Sequence, residues 1–140
     1  MDLKLDADGL NALMRAEFSQ VAGDFVVEDV KPMEVSVRMP VAEEHLRPGG
    51  TISGPTMFAL ADVSMYLAVL AMIGPVTLAV TTNCSIDFMR KPAPGRLLCR
   101  MELLKPGRSL AVCEGRIYIQ GDEGRPVARA SLTYSIPPTP

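Results

Sequence analysis

A chain of 140 residues with 48% hydrophobic and 21% charged residues fits one globular domain, 1–140, with room for a buried core. A formal net charge of -2 excludes a disordered polyelectrolyte and gives no general reason to expect nucleic acid. The charge is unevenly divided: five Lys/Arg face eleven Asp/Glu over 1–62, and nine face five over 63–140. The mildly basic second half suits an anionic ligand.

The start, "MDLKLDADGL", has no basic segment followed by an apolar run, so no signal peptide is expected. "DADGLNALMRAEFSQ" (6–20) reads as an amphipathic helix, with Leu10, Leu13, Met14 and Phe18 at helical spacing. Two short strands follow, at about 25–30 and 33–39, parted by Lys31-Pro32. "PVAEEHLRPGG" (40–50) is loop.

"GPTMFALADVSMYLAVLAMIGP" then predicts a long helix over about 55–73, apolar on every side except for Asp62. Gly74-Pro75 ends it. A membrane span is not expected, because a carboxylate near its centre costs roughly 2.5–3.5 kcal/mol on insertion. Beyond Pro75 the period changes to two. In 76–89, Val76, Leu78, Val80, Cys84, Ile86 and Phe88 are assigned to one face, and Thr77, Thr81, Asn83, Ser85 and Asp87 to the other. Strands at 96–104, 109–120 and 126–136 follow, joined by the turns "KPGR" and "GDEGR". Consecutive hairpins imply an antiparallel sheet. An all-apolar helix must be covered on most sides, and a curved sheet wrapped around it does that. The expected architecture is therefore α+β, the hotdog arrangement, with a short N-terminal helix.

Cys84, Cys99 and Cys113 are odd in number, widely spaced and placed in strand-like runs. They predict inert thiols in a reducing, cytoplasmic compartment rather than disulfides or a zinc site. His45 is the only histidine, so any His-based triad or metal centre would have to use it. It lies in a loop without a nucleophile motif and reads as structural.

Two blocks carry a family resemblance. "HLRPGGTISGPTMFALAD" is similar to a pattern H-L-N-P-x-G-T-x-H-G-G followed by L-x-D. "FMRKPAPGRLL" and "PGRSLAVCEGR" are similar to its later strand and hairpin. Residues 45 to 136 thus resemble the PaaI-like hotdog thioesterases of the 4-hydroxybenzoyl-CoA thioesterase superfamily. The resemblance implies hydrolysis of acyl-CoA, with coenzyme A entering as part of the substrate and no metal or other cofactor. Asp62 matches the carboxylate that acts as nucleophile or general base. Gly54 matches the backbone N–H that polarises the thioester carbonyl. Thr81 matches a hydroxyl that helps position water. Arg47, Ser53 and Pro55 occupy motif positions beside the substrate and replace Asn, His and Gly of the pattern. Those replacements also motivate a rival reading, a non-catalytic acyl-CoA-binding module. A hydratase would want an acid-base His near Asp62, and none is there.

Spacing adds a physical constraint. Acyl transfer needs the donor and the carboxylate within about 3 Å of one reacting group. Gly54 and Asp62 are eight residues apart, roughly 12 Å along one helix at about 1.5 Å per residue. If both act, they come from different subunits. An obligate homodimer with shared sites is expected, further paired as a dimer of dimers. Met65 and Tyr66 are candidates for a pliable acyl pocket. Arg90, Lys91, Lys105 and Arg108 are candidates for the phosphates of coenzyme A.

Overall fold

A computed structural model describes residues 2–138. Its elements run α1 (Ala7–Glu17), β1 (Val26–Lys31), β2 (Glu34–Met39), a 3-10 turn (Glu43–His45), α2 (Gly54–Ile73), β3 (Val80–Phe88), β4 (Leu97–Pro106), β5 (Leu110–Ile119) and β6 (Ala128–Ser135). The six strands form one sheet in the order β1-β2-β4-β5-β6-β3, and every neighbouring pair is antiparallel. The sheet wraps around α2, which is the hotdog fold.

The sequence explains this shape. From Leu60 to Met72 every residue of α2 is buried except Asp62. By length and composition alone this helix could cross a membrane, but most of it is enclosed by the rest of the chain. The strands alternate, so one face of each meets α2. β4 gives Leu97, Cys99, Met101 and Leu103 to that face, and β6 gives Ala128, Ala130, Leu132 and Tyr134. Ser53 caps the start of α2, accepting from the Thr56 N–H. Gly74 closes its end at φ 94°, a left-handed conformation that costs glycine little. α1 is shorter than the pattern suggested. Its Asp6 cap accepts from Gly9, and the helix stops before Phe18.

The largest departure lies in β3. The strand begins at Val80, not at 76, and its register carries a bulge. Thr81 pairs with Tyr134 and Asn83 with Thr133, so Thr82 is an extra residue. Strict alternation fails across it. Thr81 therefore shares the helix-facing side with Cys84 and Ile86, while Val80 turns outward. The expected assignment of Thr81 to the opposite face is corrected by this one inserted residue.

Cys99 and Cys113 are fully buried, and burial pushes each thiol up to about 12. The unfolded chain would release these protons near 9, the unperturbed value. The neutral thiols therefore favour the folded state below about pH 9, and that contribution fades as pH climbs towards 12. The melting temperature is expected to fall steadily over that window, with neither thiol reacting with Ellman's reagent until the chain unfolds. Rapid labelling of both in native protein would contradict it.

Candidate active site

The first turn of α2 leaves one donor free. Helices begin with N–H groups that have no partner inside the helix. Here Pro55 has no N–H, the Thr56 N–H reaches Ser53 Oγ at 3.3 Å, and the Met57 N–H reaches Ser53 O at 3.2 Å. Gly54 is left, and its N–H has no acceptor among the described residues. Ser53 Oγ is also 2.8 Å from Thr56 Oγ1, which donates to His45 O at 3.2 Å. The serine is thus engaged in holding the turn. The Phe88 ring lies against Gly54; a Cβ there would sit 3.4 Å from it. Arg47, Arg90 and Lys91 border the same pocket, of about 340 Å³. A free donor at a positive helix end beside three cations suits an anionic group or a developing oxyanion.

Two turns further on, Asp62 lines a separate cavity of about 470 Å³. Its Oδ1 accepts a hydrogen bond from Thr81 Oγ1. Tyr134 Oη lies 3.1 Å from the Asp62 carbonyl and 3.3 Å from Oδ1, and donates to them. Oδ2 receives no hydrogen bond from the described residues. The carboxylate is therefore clamped through one oxygen. Burial, reinforced by the Asp62 charge, raises the Tyr134 phenol above its ordinary range, despite an opposing hydrogen bond with Thr81. It remains a donor near neutrality.

Tyr134 was missed in the sequence. The signal was present: an inward tyrosine on a buried strand needs a partner for its hydroxyl. Asp62 is that partner.

The remaining candidates are scattered. Tyr66 lines the Asp62 cavity and donates to Thr77 O at 3.0 Å. Met65 is fully buried in the core and lines none of these cavities. Pro55 is exposed in the first turn of α2. Arg108 borders a different cleft, beside Ile73 and Ile136, and Lys105 is exposed at the end of β4. Neither joins Arg47, Arg90 and Lys91. His45 Nδ1 accepts from the Ala42 N–H at 2.8 Å, so its ring is tied into the 3-10 turn.

The sequence profile of the thioesterase superfamily matches residues 49–125, more than half of the chain. The chain belongs to the thioesterase superfamily. The matched span contains Gly54, Asp62 and Thr81 and ends before Tyr134. A crystal structure of a candidate thioesterase from Silicibacter sp. TM1040 is 52% identical, with a TM-score of 0.90, and the match covers 99% of this chain and 96% of that one. The Escherichia coli PaaI protein, from the phenylacetic acid degradation operon, has a TM-score of 0.78 over 94% of this chain and 93% of that one. At 20% identity its likeness speaks for the hotdog fold alone. A candidate esterase of Thermoplasma acidophilum is 25% identical over 88 residues, 63% of this chain and 66% of that relative, just under two thirds of its length.

Proposed function

We propose that this thioesterase hydrolyses acyl-CoA at sites shared between two subunits, with Asp62 as the reacting carboxylate. The observation carrying the proposal is the clamp on Asp62: Oδ1 is held by Thr81 and Tyr134, Oδ2 receives no hydrogen bond from the described residues, and Asp62 lines a cavity. Oδ2 takes a proton from a water as that water attacks the thioester carbonyl. Alternatively it attacks the carbonyl itself, and water opens the resulting mixed anhydride. The carbonyl oxygen becomes an oxyanion facing the Gly54 N–H of the partner subunit. Collapse breaks the carbon–sulfur bond; on the first route protonated Asp62 returns its proton to the departing thiolate, and on the second the thiolate takes its proton from water. Label found in Asp62 after one turnover in ¹⁸O-water identifies the anhydride route, since only that route places water oxygen on the aspartate carbonyl.

The shared site is supported by β3, which lies at one edge of the sheet. Asp62 and Thr81 stand beside its first residues, and Gly54 stands against Phe88 at its last. Two copies of β3 paired antiparallel about Cys84, the middle of its nine residues, bring these opposite ends together. Val80, 57% exposed, and Phe88, 51% exposed, supply apolar surface for that contact. Arg47, Arg90 and Lys91 beside Gly54 suit the phosphates of coenzyme A.

The test is thiol release from a panel of acyl-CoAs. Hydrolysis of at least one ester at a rate well above background is expected. Saturable binding without hydrolysis across the panel would overturn the proposal in favour of a binding module.

Tyr134 acts here as a positioning residue. Tyr134→Phe keeps the ring but removes the donor to Asp62. It is expected to lower kcat about tenfold, with KM within about twofold and the melting temperature little changed. An equal loss in a background already lacking the Thr81 hydroxyl would show that the two do not share one oxygen, since groups acting on one atom are not additive. An unchanged kcat would remove Tyr134 from the mechanism.

A further inference from the structure

The Asp62 cavity has a chemical character of its own. Phe18 and Tyr66 meet edge to face in its wall, with ring centroids 6.0 Å apart and planes at 84°. Tyr66 and Tyr134 are tilted at 47°, with centroids 6.4 Å apart. Three aromatic side chains thus line a space of about 470 Å³ that begins at Asp62. A cavity of about 150 Å³ is enough for a benzene ring. The space therefore takes a ring or a chain of similar bulk, with water left over.

Its charge is one-sided. The charged residues lining it are Asp62 and Glu17, with no Lys or Arg. Glu17 makes no ion pair among the described residues. It is the last residue of α1, where the helix dipole adds further negative potential. Arg15 shares that last turn but does not line the cavity. After burial, the Glu17 charge is what raises the Tyr66 phenol, which places that carboxylate within electrostatic reach of the aromatic wall.

We infer that this cavity receives the acyl group and that Glu17 makes it selective, accepting acyl groups uncharged at their far end and rejecting those that end in a carboxylate. The inference rests on the acyl-CoA thioesterase reading for the position of the carbonyl. The selectivity rests on α1, which the matched family profile does not include. Asp62 and the exposed Glu17 both repel an acyl carboxylate held in the cavity, and no cation in the lining compensates. Aromatic and aliphatic tails gain from the rings instead.

The experiment compares hexanoyl-CoA with adipoyl-CoA, equal in chain length and differing in the terminal carboxylate. Both are given to wild type, Glu17→Gln and Glu17→Lys, and the quantity read is the ratio of the two kcat/KM values. Wild type is expected to favour hexanoyl-CoA by more than about tenfold, and less as salt rises. Glu17→Gln should narrow the ratio about fivefold, and Glu17→Lys should narrow it further. A ratio unmoved by either variant overturns the inference. Calorimetric affinities for the same two esters give a second reading without turnover. If wild type binds hexanoyl-CoA in preference and Glu17→Gln abolishes that preference, the inference holds even where hydrolysis fails. If neither affinity nor turnover discriminates, it falls while hydrolysis stands.

Discussion

Asp62→Asn is expected to lower kcat by about three orders of magnitude and to leave the fold intact. A positioned base is worth about 10²–10⁴ in rate. An amide cannot accept the water's proton, nor can it attack a thioester. The structural cost is small because Asn keeps an oxygen where Oδ1 stands. Thr81 and Tyr134 therefore retain an acceptor for their hydroxyls. Asp62→Ala takes that acceptor from the Thr81 hydroxyl and leaves the buried Tyr134 hydroxyl only the backbone carbonyl of residue 62. Ala should therefore lose stability as well as rate, and the contrast between the variants separates chemistry from folding. Thiol release, calorimetric affinity for an acyl-CoA and a melting curve are measured on the same preparations. Near-wild-type turnover by Asp62→Asn would remove this carboxylate from the mechanism.

Gly54→Pro is the counterpart at the other end of the site. Proline deletes the backbone donor itself, which no side-chain change does. The backbone is prepared for it: proline suits the first helical position, and Ser53 already sits at φ -75°, ψ 153°, the region favoured before proline. Loss of an oxyanion donor should cost about 10²–10³ in kcat. The sharper test mixes this variant with Asp62→Asn and lets subunits exchange. In an equal mixture about half of the dimers are hybrids. Each hybrid has one site with both defects and one with neither. Activity should therefore recover to about a quarter of wild type, although each parent is nearly inactive. A mixture no better than its parents, with exchange verified, would show that Gly54 and Asp62 do not meet across an interface.

The fold was largely legible because its two periodicities are strong. A long run with only Asp62 interrupting its apolar character has to be enclosed, and the turns at 105–108 and 121–125 mark consecutive hairpins. Gly54, Asp62 and Thr81 were legible as motif positions. What was not legible depends on where the backbone departs from regularity. The extra residue Thr82 carries no distinctive side-chain signal, yet it decides which way Thr81 points. Tyr134 lies seventy-two residues from Asp62, and only sheet register joins them. Arg108 looked equivalent to Arg90 as a basic residue near a turn. The fold sends them to different clefts, because β4–β5 and β3–β4 connect at different places on the sheet.

The enclosed helix also has a consequence for how the chain is made. Synthesis delivers α2 before any of β3, β4, β5 and β6, and β4 provides its most extensive cover. Between those moments the nascent chain presents a twenty-residue apolar segment with nothing over most of it. That interval exposes it to aggregation and makes it a natural client for ribosome-associated chaperones. A message cut short before Leu97 leaves the exposure permanent. The yield of working enzyme thus depends on prompt completion of the last strands, well after Asp62 has left the ribosome.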